Sequence, residues 1–297
     1  MGKKVLFNNV LALSFALIAT LAGCNKAPAP DGLSSEQLVF TSGGAVKLFE
    51  TDTKATEVTT TANLSTIYVS ATTGAAGAEA AAWTSHTFTR AENEFRGGKW
   101  WPSTDPGYHF YASNVALTHS AGGALVSATN DKDVVVAHLA APVYKIKNEL
   151  LFTHVFARLG TVTVVADEGY TISNVSIKLI PKTGGTYDLV AGEGKTDGTG
   201  WSQLTTAAAP SEIANALGAN ANDIYLVPGN YTLMASWKAV KGGYEEDITG
   251  MMVDADLTCG SINTLTATLG GNAVGIRLNV TVEPWIVTDA VDVVYTN

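Results

Sequence analysis

Two thiols, five imidazoles and 27 carboxylates are the groups with which this 297-residue chain could build covalent, metal or acid–base chemistry. The thiols sit in different settings. Cys24 follows Leu21-Ala22-Gly23 at the end of an apolar run from Val10 to Leu21, itself preceded by Lys3-Lys4. A charged start, an apolar stretch and small residues before a cysteine resemble a bacterial lipoprotein signal. In that reading cleavage falls between Gly23 and Cys24, and the Cys24 sulfur takes a diacylglyceryl group. The run is about 12 residues, short of the roughly 20 an apolar helix needs to cross a bilayer, so a permanent transmembrane anchor is the weaker reading. Cys259 is then left without a thiol partner. Nothing cationic flanks it in the sequence, so a buried, inert thiol is expected rather than a reactive one.

The imidazoles of His86, His109, His119, His138 and His154 are scattered, with no pair at helical metal spacing and no HExxH. No GxSxG elbow and no GxxxxGK[ST] loop occurs. Gly192-Glu193-Gly194-Lys195-Thr196-Asp197-Gly198 lacks the spacing of a phosphate loop and the helix that should follow, and reads as a hairpin turn. Asp254 and Asp256 run into Leu257-Thr258-Cys259, which supplies no calcium ligands, so they read as a solvated strand end. Carboxylates could still pair in space as those of a glycosidase do. Without a recognisable constellation, no catalytic residue, metal or cofactor is assigned, and the chain is read as a non-enzyme. The densest aromatic segment is Trp100-Trp101-Pro102 with Tyr108, Phe110 and Tyr111. Trp100, Trp101 and Tyr108 could stack on sugar rings as a glycan platform. Equally they could anchor a sandwich core, which the large burial energy of aromatic side chains favours.

The elements that would carry these groups are strands. The chain is 46% hydrophobic and only 15% charged, with 29 glycines, a profile of strand-rich secreted proteins rather than long helices. Its net charge of −9 repels phosphate backbones, which argues against nucleic acid as a partner. From Val274 to Val282 every even position is apolar and branched, which predicts a half-buried strand. Val175, Ile177 and Leu179 predict one buried face, and Tyr231, Leu233, Ala235 and Trp237 another. One-sided faces must pack in pairs, so sheet on sheet follows. Turn clusters separate them at Lys182–Gly185, Thr196–Gly200 and Val227–Asn230. A few short helices are expected, at Ala75–Ala82 and at Pro210–Gly218, the second with proline near its start and glycine at its end. The expected organisation is a signal peptide at 1–23, an extended tether at 24–35, an N-terminal domain at 36–147 and a C-terminal domain at 148–297. The boundary falls near Lys147-Asn148.

The signal ending at Cys24, Ala45–Glu50 running into Thr53-Lys54-Ala55, Thr66–Gly74, Lys99–Pro102 with Phe110-Tyr111-Ala112, Leu151–Leu159, Gly185–Leu189 and Leu278–Trp285 follow one another in a set order. In that order they resemble the fimbrillin family, the lipoprotein precursors of type V pili in Gram-negative anaerobes of the Bacteroidales type. The resemblance implies an all-β chain of two transthyretin-like Greek-key β-sandwich domains. It also implies lipid anchoring at the outer membrane, and a maturation protease that removes a first strand lying within about residues 36–54. Subunits would then polymerise by filling the emptied groove with a neighbour's strand, so that other fimbrial subunits are the implied partners, together with a host or bacterial surface receptor. Family members are usually cut after an arginine; the matching bond here is Lys54-Ala55. That departure implies either a protease that accepts lysine or an uncut subunit such as an anchor, with Arg90 and Arg96 as alternative sites. The alternation of Val291, Val293 and Tyr295 suits either an insertable donor strand or a last strand of the second domain. The rival reading is a surface glycan-binding lipoprotein.

Only a thiol can form the thioether of a lipid anchor, so Cys24→Ser should leave the precursor unprocessed and without lipid. Metabolic labelling with a radioactive fatty acid checks this; a labelled serine variant would refute the assignment.

Overall fold

The computed structural model describes residues 33–43, 64–74, 80–92, 94–120, 122–145 and 148–285. In chain order the strands are β1 (Leu33–Gly43), β2 (Thr66–Thr73), β3 (Ala80–Ala91), β4 (Glu94–Pro102), β5 (Tyr108–Ser113), β6 (Leu117–Ser120), β7 (Gly123–Ala128), β8 (Val135–Val143), β9 (Asn148–Leu151), β10 (Thr153–His154), β11 (Ala157–Ala166) and β12 (Thr171–Leu179). They continue as β13 (Lys182–Thr183), β14 (Gly185–Asp188), β15 (Trp201–Ser202), β16 (Thr205–Thr206), β17 (Ser211–Ala214), β18 (Gly218–Asn220), β19 (Ile224–Leu226), β20 (Gly229–Lys241), β21 (Tyr244–Leu257), β22 (Ser261–Leu269) and β23 (Ile276–Pro284).

The first half is an eight-stranded sheet in the order β10-β8-β5-β2-β3-β4-β1-β9. It curls, because β8 and β9 come into contact from opposite parts of that order. Leu38, Ile67, Val69, Phe88, Phe95, Phe110, Val135 and Leu150, drawn from strands around the sheet, therefore share one core. The second half is a two-layer sandwich. One layer runs β18-β11-β22-β23 with β19 also on β11, and the other runs β17-β12-β20-β21. The alternation expected from the sequence is observed here: Val175, Ile177 and Leu179 of β12 and Tyr231, Leu233, Ala235 and Trp237 of β20 are buried in a common core. Burial of tryptophan demands a partner for its N–H, and Trp237 Nε1 donates to the Gly270 carbonyl at 2.7 Å. Strand β23 buries less, its Ile276, Leu278 and Val280 being only partly covered.

No helix occurs among the described residues, which corrects the short helix expected at Pro210–Gly218; of the one expected at Ala75–Ala82, residues 75–79 lie outside the described residues. Ala80–Ala82 open strand β3. Within Pro210–Gly218, Ser211 and Ala214 pair with Leu179 and Ile177 of β12. A nine-residue segment is too short to hold a helix by itself, so an available sheet edge wins.

The halves are not independent beads. Strand β7 of the first half pairs antiparallel with β14 of the second, in a sheet ordered β15-β14-β7-β6. Tyr111, Val126, Phe156, Tyr187, Tyr225 and Trp285 form a third core from both halves. Asn130 pins the seam: its Nδ2 donates to the carbonyls of Lys182 at 3.0 Å and Tyr225 at 2.7 Å, and its Oδ1 accepts from Gly184 N at 2.7 Å. Strands β9 and β10, beyond Lys147-Asn148 in sequence, complete the first sheet, and the second core begins at Ala157.

A shared core couples what it touches. Thermal unfolding should therefore show one calorimetric transition, and Phe156→Ala, emptying a fully buried site in the seam, should cost about 3–5 kcal/mol and split that transition in two. Two separate transitions in the unmodified chain would contradict this.

Candidate functional site

The most consequential site is a strand's seat rather than a catalytic pocket. Strand β1 lies between β4, to which it is antiparallel, and β9, to which it is parallel. Its register runs Val39↔Arg96, Phe40↔Phe95 and Thr41↔Glu94 on one side, and Phe40↔Asn148 through Gly43↔Leu151 on the other. Two register shifts, between Leu33 and Gln37 and between Gln37 and Val39, interrupt the β4 ladder. Inward-facing Leu38 and Phe40 are buried, while Gln37, Val39 and Thr41 are half-buried and Glu36 is exposed. The Phe40 ring meets Phe88 and Phe110 edge-on, each at 5.0 Å between centroids and at 79° and 83°. This is the favourable T-shaped arrangement of aromatic quadrupoles. Each of the two anchors contributes roughly 1.5–3 kcal/mol when fully buried. Beside these anchors runs backbone hydrogen bonding to both neighbours, which any extended chain can supply. Removing β1 would bare a row of N–H and C=O groups on β4 and another on β9 beside an apolar slot.

The residues named from sequence distribute unevenly around this seat. Cys24, Lys54, Ala55, Val291, Val293 and Tyr295 lie outside the described residues, as does the Ala45–Glu50 segment. Lys54 falls in the sequence between Gly43, the end of β1, and Thr66, the start of β2. Arg90 and Arg96 are in ladders, opposite Phe95 and opposite Val39 respectively, where a protease cannot take up the extended backbone without opening the sheet.

The aromatic segment is chiefly core, which corrects the platform reading. Trp101 is only 3% exposed and packs on Tyr108, Phe110 and Tyr144. Trp100, its neighbour along β4, is half-buried and faces the opposite side, as strand alternation requires. Tyr108 is half-buried and its hydroxyl is pushed above the usual phenol range chiefly by burial, a hydrogen bond with Trp83 pulling the other way. The three rings form no common exposed face.

Two contacts were not visible in the sequence. Asp133 Oδ1 accepts from His154 Nδ1 at 2.9 Å, with both side chains fully buried, and the His154 ring stacks on Trp285 at 3.6 Å. Trp285 also stacks on Tyr225 at 5.4 Å, and the Arg158 guanidinium lies 5.9 Å from its ring centre. Cys259 sits beside this cluster, its Sγ 3.4 Å from the Val155 carbonyl oxygen. Burial raises that thiol to about 11, so at neutral pH it is protonated and a poor nucleophile. The Cys259–His154–Asp133 neighbourhood therefore lacks the activated thiolate of a cysteine hydrolase. Among the described residues no group of three or more His, Cys, Asp or Glu could hold a metal ion. Residues 189–194 form turns, with Gly192 N donating to the Asp188 carbonyl, and join paired strands β14 and β15 as the hairpin reading required. A Cβ at Gly192 would lie 2.3 Å from the Tyr187 ring, so only glycine fits.

Residues 38–285 match the fimbrillin-like family. No curated protein matches the chain. A crystal structure of a fimbrial protein from Bacteroides vulgatus is similar over 75% of this chain and 94% of its own, with 15% identity and a TM-score of 0.51. A candidate cell adhesion protein from Parabacteroides distasonis is similar over 86% of this chain and 98% of its own, with 8% identity and a TM-score of 0.53. These likenesses carry the fold, and the family match takes in the β1 anchors Leu38 and Phe40 at one end and the Trp285 stack at the other. The chain belongs to the fimbrillin-like family.

Proposed function

We propose that this protein is a non-enzymatic structural and adhesive subunit of cell-surface fimbriae, exported as a lipoprotein anchored at the outer membrane through Cys24. Proteolysis at Lys54-Ala55 releases β1, and a strand from a neighbouring subunit refills its seat. The segment carrying Val291, Val293 and Tyr295 serves as the strand donated onward. The observation that carries this reading is the seat of β1: a strand inside the sheet, bonded on both sides, whose described side chains include two buried ones, Leu38 and Phe40.

The energetics favour exchange only after cutting. While β1 is tethered, its effective concentration at the seat is of millimolar order or higher, and a free strand cannot compete. After cleavage the advantage vanishes, and a donor with equal or better anchors takes the slot by satisfying both ladders together. Family membership supports fimbrial assembly and a surface location. The glycan-binding alternative loses its main support with the burial of Trp101.

Replacing Lys54 with alanine should leave the amino-terminal strand attached and the protein monomeric, whereas unmodified protein recovered from cells should begin at Ala55 and appear in filaments. Amino-terminal sequencing and negative-stain electron microscopy check this; undiminished filaments from Lys54→Ala would refute cleavage at that bond. Deleting Val291–Asn297 should leave a cooperatively folded chain that no longer extends filaments. If the truncated chain loses its unfolding transition, those residues belong to the core instead.

A further inference from the structure

We infer that the β1 seat is shaped to receive its strand from a protein other than this one, the preferred donor carrying phenylalanine two residues after a branched apolar residue. This rests on the refilling reading above. A donor that reproduces both ladders must run in the direction of β1, antiparallel to β4 and parallel to β9. Its inward side chains then fall at the places of Leu38 and Phe40, in that order along the chain. Phe40 has no exposed surface and is enclosed by Phe88, Phe110 and, across the ladder, Phe95. Those rings offer no hydrogen-bonding atom to a guest.

The chain's own insertable segment reads Val291-Asp292-Val293-Val294-Tyr295. In the register that sets Val293 at Leu38, Tyr295 takes the Phe40 socket and drives its hydroxyl among the rings of Phe88, Phe95 and Phe110, where it loses water and those rings supply no hydrogen bond in return. Sliding the strand by two residues puts Val293 in the socket and leaves much of a phenyl ring's volume unfilled. Sliding it by one turns either Asp292 and Val294 inward, burying a carboxylate, or Val294 and Thr296, which sets a small hydroxyl side chain where a phenyl ring fits. Each register is penalised, whereas a strand with phenylalanine in place of Tyr295 carries none of these costs. The seat therefore discriminates against self-polymerisation, and this chain's neighbour on that side is a different subunit.

The test uses the full chain with a single protease recognition sequence replacing Lys54-Ala55, cut once, and three fluorescent synthetic strands: Leu33–Gly43, Trp285–Asn297, and Trp285–Asn297 with Tyr295→Phe. The Leu33–Gly43 strand should return to the seat, and the Tyr295→Phe strand should bind at least about ten-fold more tightly than its unmodified parent, the equivalent of about 1.4 kcal/mol. If Leu33–Gly43 returns but the tyrosine and phenylalanine strands bind alike, or the tyrosine strand binds more tightly, the discrimination is refuted while refilling stands. If Leu33–Gly43 itself does not return, the seat is not refillable and both claims fall.

Discussion

Phe40, wedged without exposed surface between Phe88 and Phe110, is the contact on which the first half of this protein turns. Around it the sheet curls so that strands from its opposite parts share one interior, to which β1 contributes Leu38 and Phe40. The constraint behind it is general. A strand inside a sheet satisfies two rows of backbone groups at once, so its place cannot stay empty in water without cost. Because those backbone bonds are indifferent to sequence, identity is read chiefly by the side chains facing inward, of which the described ones are Leu38 and Phe40.

The second half provides a contrast in how firmly strands are held. Strand β20 buries Tyr231, Leu233, Ala235, Trp237 and Ala239 along one face, and it pairs on both edges, with β12 and β21. Tyr231 adds a hydroxyl bond to the Val227 carbonyl at 2.8 Å, and Trp237 adds its bond to Gly270. With five inward anchors and two buried polar ties, this strand belongs permanently to its sandwich. Strand β1 has two anchors among its described side chains and an interrupted ladder. That difference in fastening separates the two strands: β20 is tied into its sandwich by more buried side chains than are described for β1.

Between them the seam transmits rather than insulates. The pairing of β7 with β14, the three bonds of Asn130 and the stack of His154, Trp285 and Tyr225 join the halves through backbone, amide and ring contacts. Trp285 also marks where the described chain passes into the segment carrying Val291 and Tyr295. Rooting that segment in a buried stack fixes the point from which it departs.

What the sequence determined by itself is local and periodic. The alternation of Val175, Ile177 and Leu179, or of Tyr231 through Trp237, specifies a strand and its buried face without reference to any partner, because side chains in a strand alternate with period two. The same logic identified the turn at Gly192–Gly198, and the order of segments carried the family. What only the tertiary structure decided is non-local. Ser211–Ala214 has the punctuation of a short helix, yet becomes a strand because β12 offers an edge. Trp101 could have been a platform or a core anchor, and the curl of the sheet buried it. Leu38 and Phe40 stood out less in the sequence than Ala45–Glu50, and neither they nor the Asp133–His154 pair carried a periodic signal. Their importance comes from which distant residues the chain brings against them: Phe88 and Phe110 for Phe40, and Trp285 for His154. Backbone pairing and burial are properties of partners far apart in sequence, and a local pattern contains no record of the partner.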